Sequence, residues 1–185
     1  MKTIVLNEPG QFEVTDTEAP QSLEAGHARV KVLRVGICGT DLHAFEGTQP
    51  FFDYPRILGH ELAVEVLETN GETDLVAGDI CAVRPYINCG ECVACRRGIT
   101  NACEKLKVYG VHFDGGMREI ITVPLDKLHH APGVPADHLA LVEMLCIGAH
   151  AVRRANLIQD ENVLVIGAGP IGMGTAQFAR VAGAN

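Results

Sequence analysis

The chain has no tryptophan, and only three tyrosines and six phenylalanines among its 185 residues. Few large aromatic anchors are available, so burial must rest on aliphatic side chains. Basic residues are also scarce: 15 Lys and Arg against 23 Asp and Glu leave a formal net charge of −8. That balance argues against a nucleic-acid partner, because phosphate binding draws its affinity from clustered Lys and Arg. The short step Arg96-Arg97 is too small to reverse it and reads as a solvated face. No apolar run reaches membrane-spanning length, and no basic start leads into an apolar stretch with a small-residue cleavage site. Neither a membrane nor secretion is expected, and the cytoplasm is the default location. Internal repeats and low-complexity tracts are missing too. What remains is 47% hydrophobic and 21% charged, ordinary for a globular protein of one sizeable domain, or one domain and part of another.

Cysteine, by contrast, is plentiful and patterned. Four of the seven cysteines fall in the run Cys89-Gly-Glu-Cys92-Val-Ala-Cys95 and at Cys103. Two Cys-x-x-Cys steps that share a sulfur do not fit a set of disulfides, whereas four thiolates around one Zn²⁺ explain the spacing. Such a closed structural site would replace a core in the polar segment from Asn88 to Lys107, where large apolar residues are few. Thiols kept free as ligands fit a reducing compartment.

From Met1 to about Val123 short apolar or alternating runs are punctuated by Gly, Pro, Asn and Asp, at Thr3–Leu6, Ala28–Ile37, Leu62–Leu67, Asp79–Val83 and Arg118–Val123. This pattern predicts an all-β domain. After Pro135 the period changes to about 3.6, with Leu139, Val142, Met144, Leu145, Ile147, Ala151 and Val152 marking a linker helix. A compact buried strand is expected over Asn162–Ile166, followed by the turn Gly167-Ala-Gly169-Pro-Ile-Gly172 and a second helix. A Gly-x-Gly-x-x-Gly match gains weight when it follows a strand and opens a helix, the setting of dinucleotide binding. In that setting Gly167 permits the tight turn, Gly169 lets the backbone approach a pyrophosphate, and Gly172 lets the helix pack closely on the strand. The residue that would separate NAD from NADP by reading the ribose is expected about 20 positions past the glycines.

A second candidate metal set is mixed in chemistry. Cys38 lies in Cys38-Gly-Thr40-Asp41-Leu-His43, and His60-Glu61 follows Gly59. A thiolate, an imidazole and one or two carboxylates leave zinc partly open, the catalytic rather than the structural pattern. Glu143 is a lone carboxylate flanked by Leu141, Val142, Met144 and Leu145, and such a group needs a partner. Taken singly, Cys38, His60 and Glu143 are each explained as ordinary core or surface residues.

Taken in order, Gly36-Ile-Cys38-Gly-Thr40-Asp41-Leu-His43, Gly59-His60-Glu61, Gly78-Asp79, the four-cysteine run, Gly115-Gly116, Glu143 and the glycine turn resemble the zinc-dependent medium-chain alcohol dehydrogenase family. The likeness covers essentially the whole chain and, through Glu143 and Pro85-Tyr-Ile-Asn-Cys89-Gly-Glu-Cys92, points to the polyol, threonine and sugar-acid dehydrogenase branch. It implies a mixed β and α/β fold. A GroES-like β-barrel catalytic domain with a structural zinc lobe would occupy residues 1–145, and residues 146–185 would hold the linker helix and the first β-α unit of a Rossmann domain. It further implies a catalytic zinc at Cys38, His60, Glu61 and Glu143, the last bound directly or through water, and a structural zinc at Cys89, Cys92, Cys95 and Cys103. Thr40 and His43 would relay a proton, Asp41 would support His60, and hydride would pass from a secondary alcohol, on a polyol, sugar acid or amino alcohol, to NAD or NADP.

Phe45, Phe51, Phe52 and Tyr54 are expected to help form the substrate wall, and a homo-oligomer is expected. Met144 stands where the branch usually has proline, and family members run on well past this length. A single strand and helix cannot wall in a dinucleotide, so turnover is not expected of these 185 residues by themselves. Two other outcomes stay open: a non-catalytic zinc-stabilised binding module, and an aldehyde or formaldehyde dehydrogenase of the same family.

Overall fold

The computed structural model describes every residue except 51, and its chain divides into two compact units, Met1–Ala140 and Leu141–Asn185. The expectation for Phe51 lies outside the described residues.

The first unit opens with strands β1 (Lys2–Glu8) and β2 (Gln11–Asp16), an antiparallel hairpin turned at Pro9-Gly10. Strands β3 (His27–Gly36), β4 (Glu61–Asn70), β5 (Ile80–Val83), β8 (Ile120–Pro124) and β9 (Leu128–His130) form an antiparallel sheet in the order β8-β3-β4-β5-β9. A two-stranded ribbon, β6 (Tyr86–Ile87) with β7 (Lys107–Val108), carries the four-cysteine lobe. Aliphatic side chains fill the core, with Val30, Val64, Val66, Ile121 and Val123 all fully buried. Each such side chain contributes about 1.5–3 kcal/mol by leaving water.

The sheet does not close into the expected barrel. Among the described residues it ends at β8 and β9, and β1 is joined to the rest only by single bridges, Thr3 to Arg118 and Leu6 to Arg56. Closure needs a continuous staggered ladder, and end strands of five and three residues are too short to supply one.

Helix α1 (Gly39–Glu46) was not foreseen. Its first turn is fastened by the Asp41 carboxylate, which accepts the Cys38 backbone N–H at 2.9 Å, and it stops at Gly47 with φ 73°. The lobe adds the short helix α2 (Val93–Arg96), and α3 (Ala136–Leu139) closes the unit.

The second unit pairs α4 (Val142–Ala155) with α5 (Pro170–Val181). The two backbones meet closely where a Cβ on Gly148 would stand 2.7 Å from Thr175 N. The buried strand expected over Asn162–Ile166 is absent: the segment belongs to no strand, with Leu164 83% and Ile166 90% exposed. A strand of this kind exists only when flanking strands take up its N–H and C=O groups. Among the described residues its backbone pairs with Asn185, which donates to Glu161 O at 2.9 Å while Val163 N donates to Asn185 O at 3.3 Å. That alternation is the pattern of one parallel rung.

Candidate metal centres

In the lobe, the Sγ atoms of Cys89, Cys92, Cys95 and Cys103 all lie within 4.8 Å of one another, and no disulfide joins them. Tetrahedral zinc with bonds of about 2.3 Å requires sulfur-to-sulfur edges of about 3.8 Å. The Cys89–Cys95 and Cys89–Cys103 separations are 4.0 and 3.5 Å. Backbone N–H groups aim at the sulfurs: Cys92 N to Cys89 at 3.4 Å, Cys95 N to Cys92 at 3.5 Å, and Cys89 N and Lys105 N to Cys103 at 3.3 and 3.4 Å. Donors converging on sulfur favour thiolates. They draw Cys92 down to about 6 and Cys103 below its ordinary value, while burial and then the Cys92 sulfur push Cys95 up to about 11. Four neighbouring thiols that cannot all ionise unaided are what a divalent cation reconciles, so the donor set fits zinc.

The second cluster gathers residues from separate elements. Cys38 follows β3 and precedes α1, while His60 immediately precedes β4 and Glu61 opens it, and their ligand atoms lie within 4.8 Å of one another. His60 and Glu61 are buried and Cys38 is half-buried. Hydrogen bonding from His60 is the main influence holding the Cys38 thiol below its ordinary value; burial opposes it, and the Thr40 N–H and hydroxyl assist. The Thr40 hydroxyl is 3.8 Å from Cys38 Sγ. Asp41 Oδ1 lies 3.9 Å from His60 Nδ1, both groups being buried, while Asp41 Oδ2 holds the Cys38 backbone. One carboxylate thus holds the backbone of one candidate ligand and lies within ion-pair reach of a second.

Gly36 escaped the reading of the sequence as a site residue. It pairs across the sheet with Glu61, and a Cβ there would stand 2.2 Å from Glu61 Oε2 and 2.8 Å from Glu61 Cβ. Only a residue without a side chain lets the Glu61 carboxylate fold back over β3. A sulfur, an imidazole and a carboxylate with one position unfilled also fit zinc.

Other expected residues lie as follows. Glu143 is buried in the first turn of α4, in the second unit, and the cluster itself has three members. His43, on the exposed side of α1, shares a hydrogen bond with Thr48 Oγ1 at 3.3 Å and lies 3.6 Å from Glu46 Oε2. Phe52 and Tyr54 pack against Leu6, Ala44 and Leu58, with the Tyr54 hydroxyl donating to Ala44 O, and Phe45 stacks on Phe12 with ring centres 5.4 Å apart. These three rings are engaged in packing. In the glycine turn Gly167 has φ 108°, Gly169 caps α5 with open space beside it, and a Cβ on Gly172 would stand 1.9 Å from Gly167 O. No helix among the described residues is long and apolar enough to cross a membrane.

Residues 24–133 match the family described as the alcohol dehydrogenase GroES-like domain. The L-galactonate-5-dehydrogenase of Escherichia coli K12 is 45% identical over 100% of this chain and 54% of its own length. The L-threonine 3-dehydrogenase of Pyrococcus horikoshii is 36% identical over the same shares. A crystal structure of an Escherichia coli CFT073 alcohol dehydrogenase (rspB) complexed with NADH superposes with a TM-score of 0.91 at 34% identity, over 99% of this chain and 54% of that one. The chain spans about half the length of the curated relatives it matches. With the match covering the sheet, the lobe and all three members of the mixed cluster, the chain belongs to the zinc-type alcohol dehydrogenase family.

Proposed function

We propose that this chain is the metal-holding part of an oxidoreductase that moves hydride from a secondary alcohol, on a polyol, sugar acid or amino alcohol, to NAD or NADP. The observation that carries the reading is the convergence of Cys38, His60 and Glu61, with Gly36 clearing the space for the carboxylate. Zinc held there would supply Lewis acidity toward the substrate hydroxyl. Cys38 and Glu61 would contribute anionic donors, and the Asp41 carboxylate, 3.9 Å from His60 Nδ1, would support the imidazole electrostatically. The Thr40 hydroxyl, beside Cys38, would take the alcohol proton, and the 60% exposed His43 would hand it to solvent. The four-cysteine lobe holds a second, structural zinc.

Gly167, Gly169 and Gly172 at the start of α5, with the parallel rung at Asn185, support a first β-α unit of a Rossmann domain that takes a pyrophosphate on the helix N-terminus. The substrate class is supported by the L-galactonate and L-threonine dehydrogenases, and the nicotinamide by the neighbour complexed with NADH. We place this protein in the cytoplasm as a homo-oligomer.

The test joins metal content to activity. Elemental analysis should find two zinc ions per chain, falling to one in His60→Ala. The gene product that carries this segment should reduce a nicotinamide with at least one of L-galactonate, other sugar acids, polyols or L-threonine, and lose that activity in His60→Ala. Zinc-free protein, or no turnover with any of these alcohols, overturns the reading.

A further inference from the structure

One sulfur of the lobe is served by a side chain whose own support lies outside the lobe. Cys95 Sγ receives Asn88 Nδ2 at 3.7 Å. The other end of that amide, Oδ1, accepts from Lys127 Nζ at 2.8 Å. Lys127 stands in the 3-10 turn Leu125–Lys127 between β8 and β9, 39 residues along the chain from Asn88. Its side chain is 5% exposed, and its charge is met by Asp126 Oδ2 at 2.8 Å. Its own carbonyl accepts from Arg84 N at 2.8 Å, two residues before β6.

The chemistry of these groups fixes a direction. An ammonium only donates, so the Asn88 amide must turn its oxygen toward Lys127. Its NH₂ then faces Cys95, and the sulfur must accept. Acceptance suits a thiolate under a metal. A buried ammonium so placed holds the amide against rotation, which a solvated partner would not do.

We infer that Lys127 and Asn88 are positioning residues for the four-cysteine metal site: Lys127 locks the Asn88 amide, and the amide keeps Cys95 on the metal. The pair thereby ties metal retention in the lobe to the β5–β9 edge of the sheet. The inference rests on reading the lobe as a zinc site. Loss of an outer partner of this kind lowers metal affinity by about 10–100-fold, and faster release is the expected sign of it.

The experiment uses a Cys38→Ala background, in which only the lobe holds zinc, and measures the rate of zinc transfer to excess coloured chelator. Asn88→Leu, which removes both ends of the bridge, should release zinc about tenfold faster or more. Asn88→Asp is decisive. It keeps an acceptor for Lys127 but sets a negative charge, with no donor, against Cys95, so release should be as fast as in Asn88→Leu. A residue that merely supports the fold predicts the unsubstituted rate for Asn88→Asp. Lys127→Met keeps the amide but removes its lock, and should give a smaller acceleration. Zinc release at the unsubstituted rate in Asn88→Asp, from a lobe shown to hold zinc, overturns the inference alone. A lobe that holds no zinc before substitution overturns both the zinc reading and the inference.

Discussion

The two candidate metal clusters of the first unit are assembled in opposite ways. Cys89, Cys92, Cys95 and Cys103 come from one short excursion between β6 and β7, in which the large apolar residues Val93 and Ile99 are 53% and 48% exposed and Leu106 is half-buried. Cys38, His60 and Glu61 come from the end of β3 and the start of β4, held by a sheet with a packed aliphatic core. On the proposed reading the lobe would depend on its metal for structure, whereas the mixed cluster is built by the packed sheet itself. That difference orders what each substitution should do.

The largest effect is expected where metal and fold are the same thing. Cys103→Ser removes a buried sulfur that accepts two backbone N–H groups. It should cost more than about 3 kcal/mol of stability and abolish hydrogen-exchange protection over residues 88–107. Zinc content should fall by one ion, with Cys38, His60 and Glu61 keeping theirs. A lobe that stays protected without its zinc would break the comparison.

Gly36→Ala sharpens it from the other side. The added Cβ meets both the Cβ and the carboxylate of Glu61, so Glu61 must leave its position and the strand pair must shift. A cost of about 1–3 kcal/mol is expected, with loss of zinc from the mixed cluster and an unchanged lobe. Elemental analysis combined with a thermal melt separates the two effects. If both zinc ions survive, Glu61 is not held where Gly36 allows it.

Asp41→Asn should do less. The amide still occupies the space between Cys38 N and His60, but it no longer offers a charge to the ring. Zinc affinity of the mixed cluster should fall about 10–100-fold with little change in the melting temperature, and the lobe should not respond. Equal affinity would show that His60 is oriented by backbone alone.

The same contrast explains what could be read in the sequence. The gathering of the four lobe cysteines was legible because they are close in sequence and their spacing alone encodes geometry. The mixed cluster was legible only through the order of motifs, since no spacing relates Cys38 to His60. The roles of Gly36 and of the Asn88–Lys127 bridge were invisible, because both depend on registers and turns that sequence does not display. Among elements, β4 and β8 announced themselves by apolar runs. By contrast, β2 holds no apolar run, only Phe12 and Val14 set between polar residues, and α1 carries no 3.6 period. Asn162–Ile166 was expected to be buried on the strength of its composition, yet burial of a parallel strand belongs to its neighbours rather than to itself.

The smallest expected effect concerns the cysteine that neither cluster uses in the sheet. Cys81 is fully buried on β5, opposite Val64, and burial, with Asp79 nearby, pushes its thiol up to about 11 from 9.0. The native state therefore keeps the Cys81 proton between pH 9 and about 11, where the unfolded chain has released it. The stability this contributes is fully present below pH 9 and is lost as pH rises through about 11. In chelator-treated protein near neutral pH, the alkylation rate of Cys81 should lie far below that of Cys38, whose thiol His60 holds low. Peptide mapping after brief exposure to iodoacetamide reads this directly. Cys81 modified as fast as Cys38 would mean that the sheet opens on the timescale of the reaction, and a fold that opens so readily could not hold the mixed cluster in place without its metal.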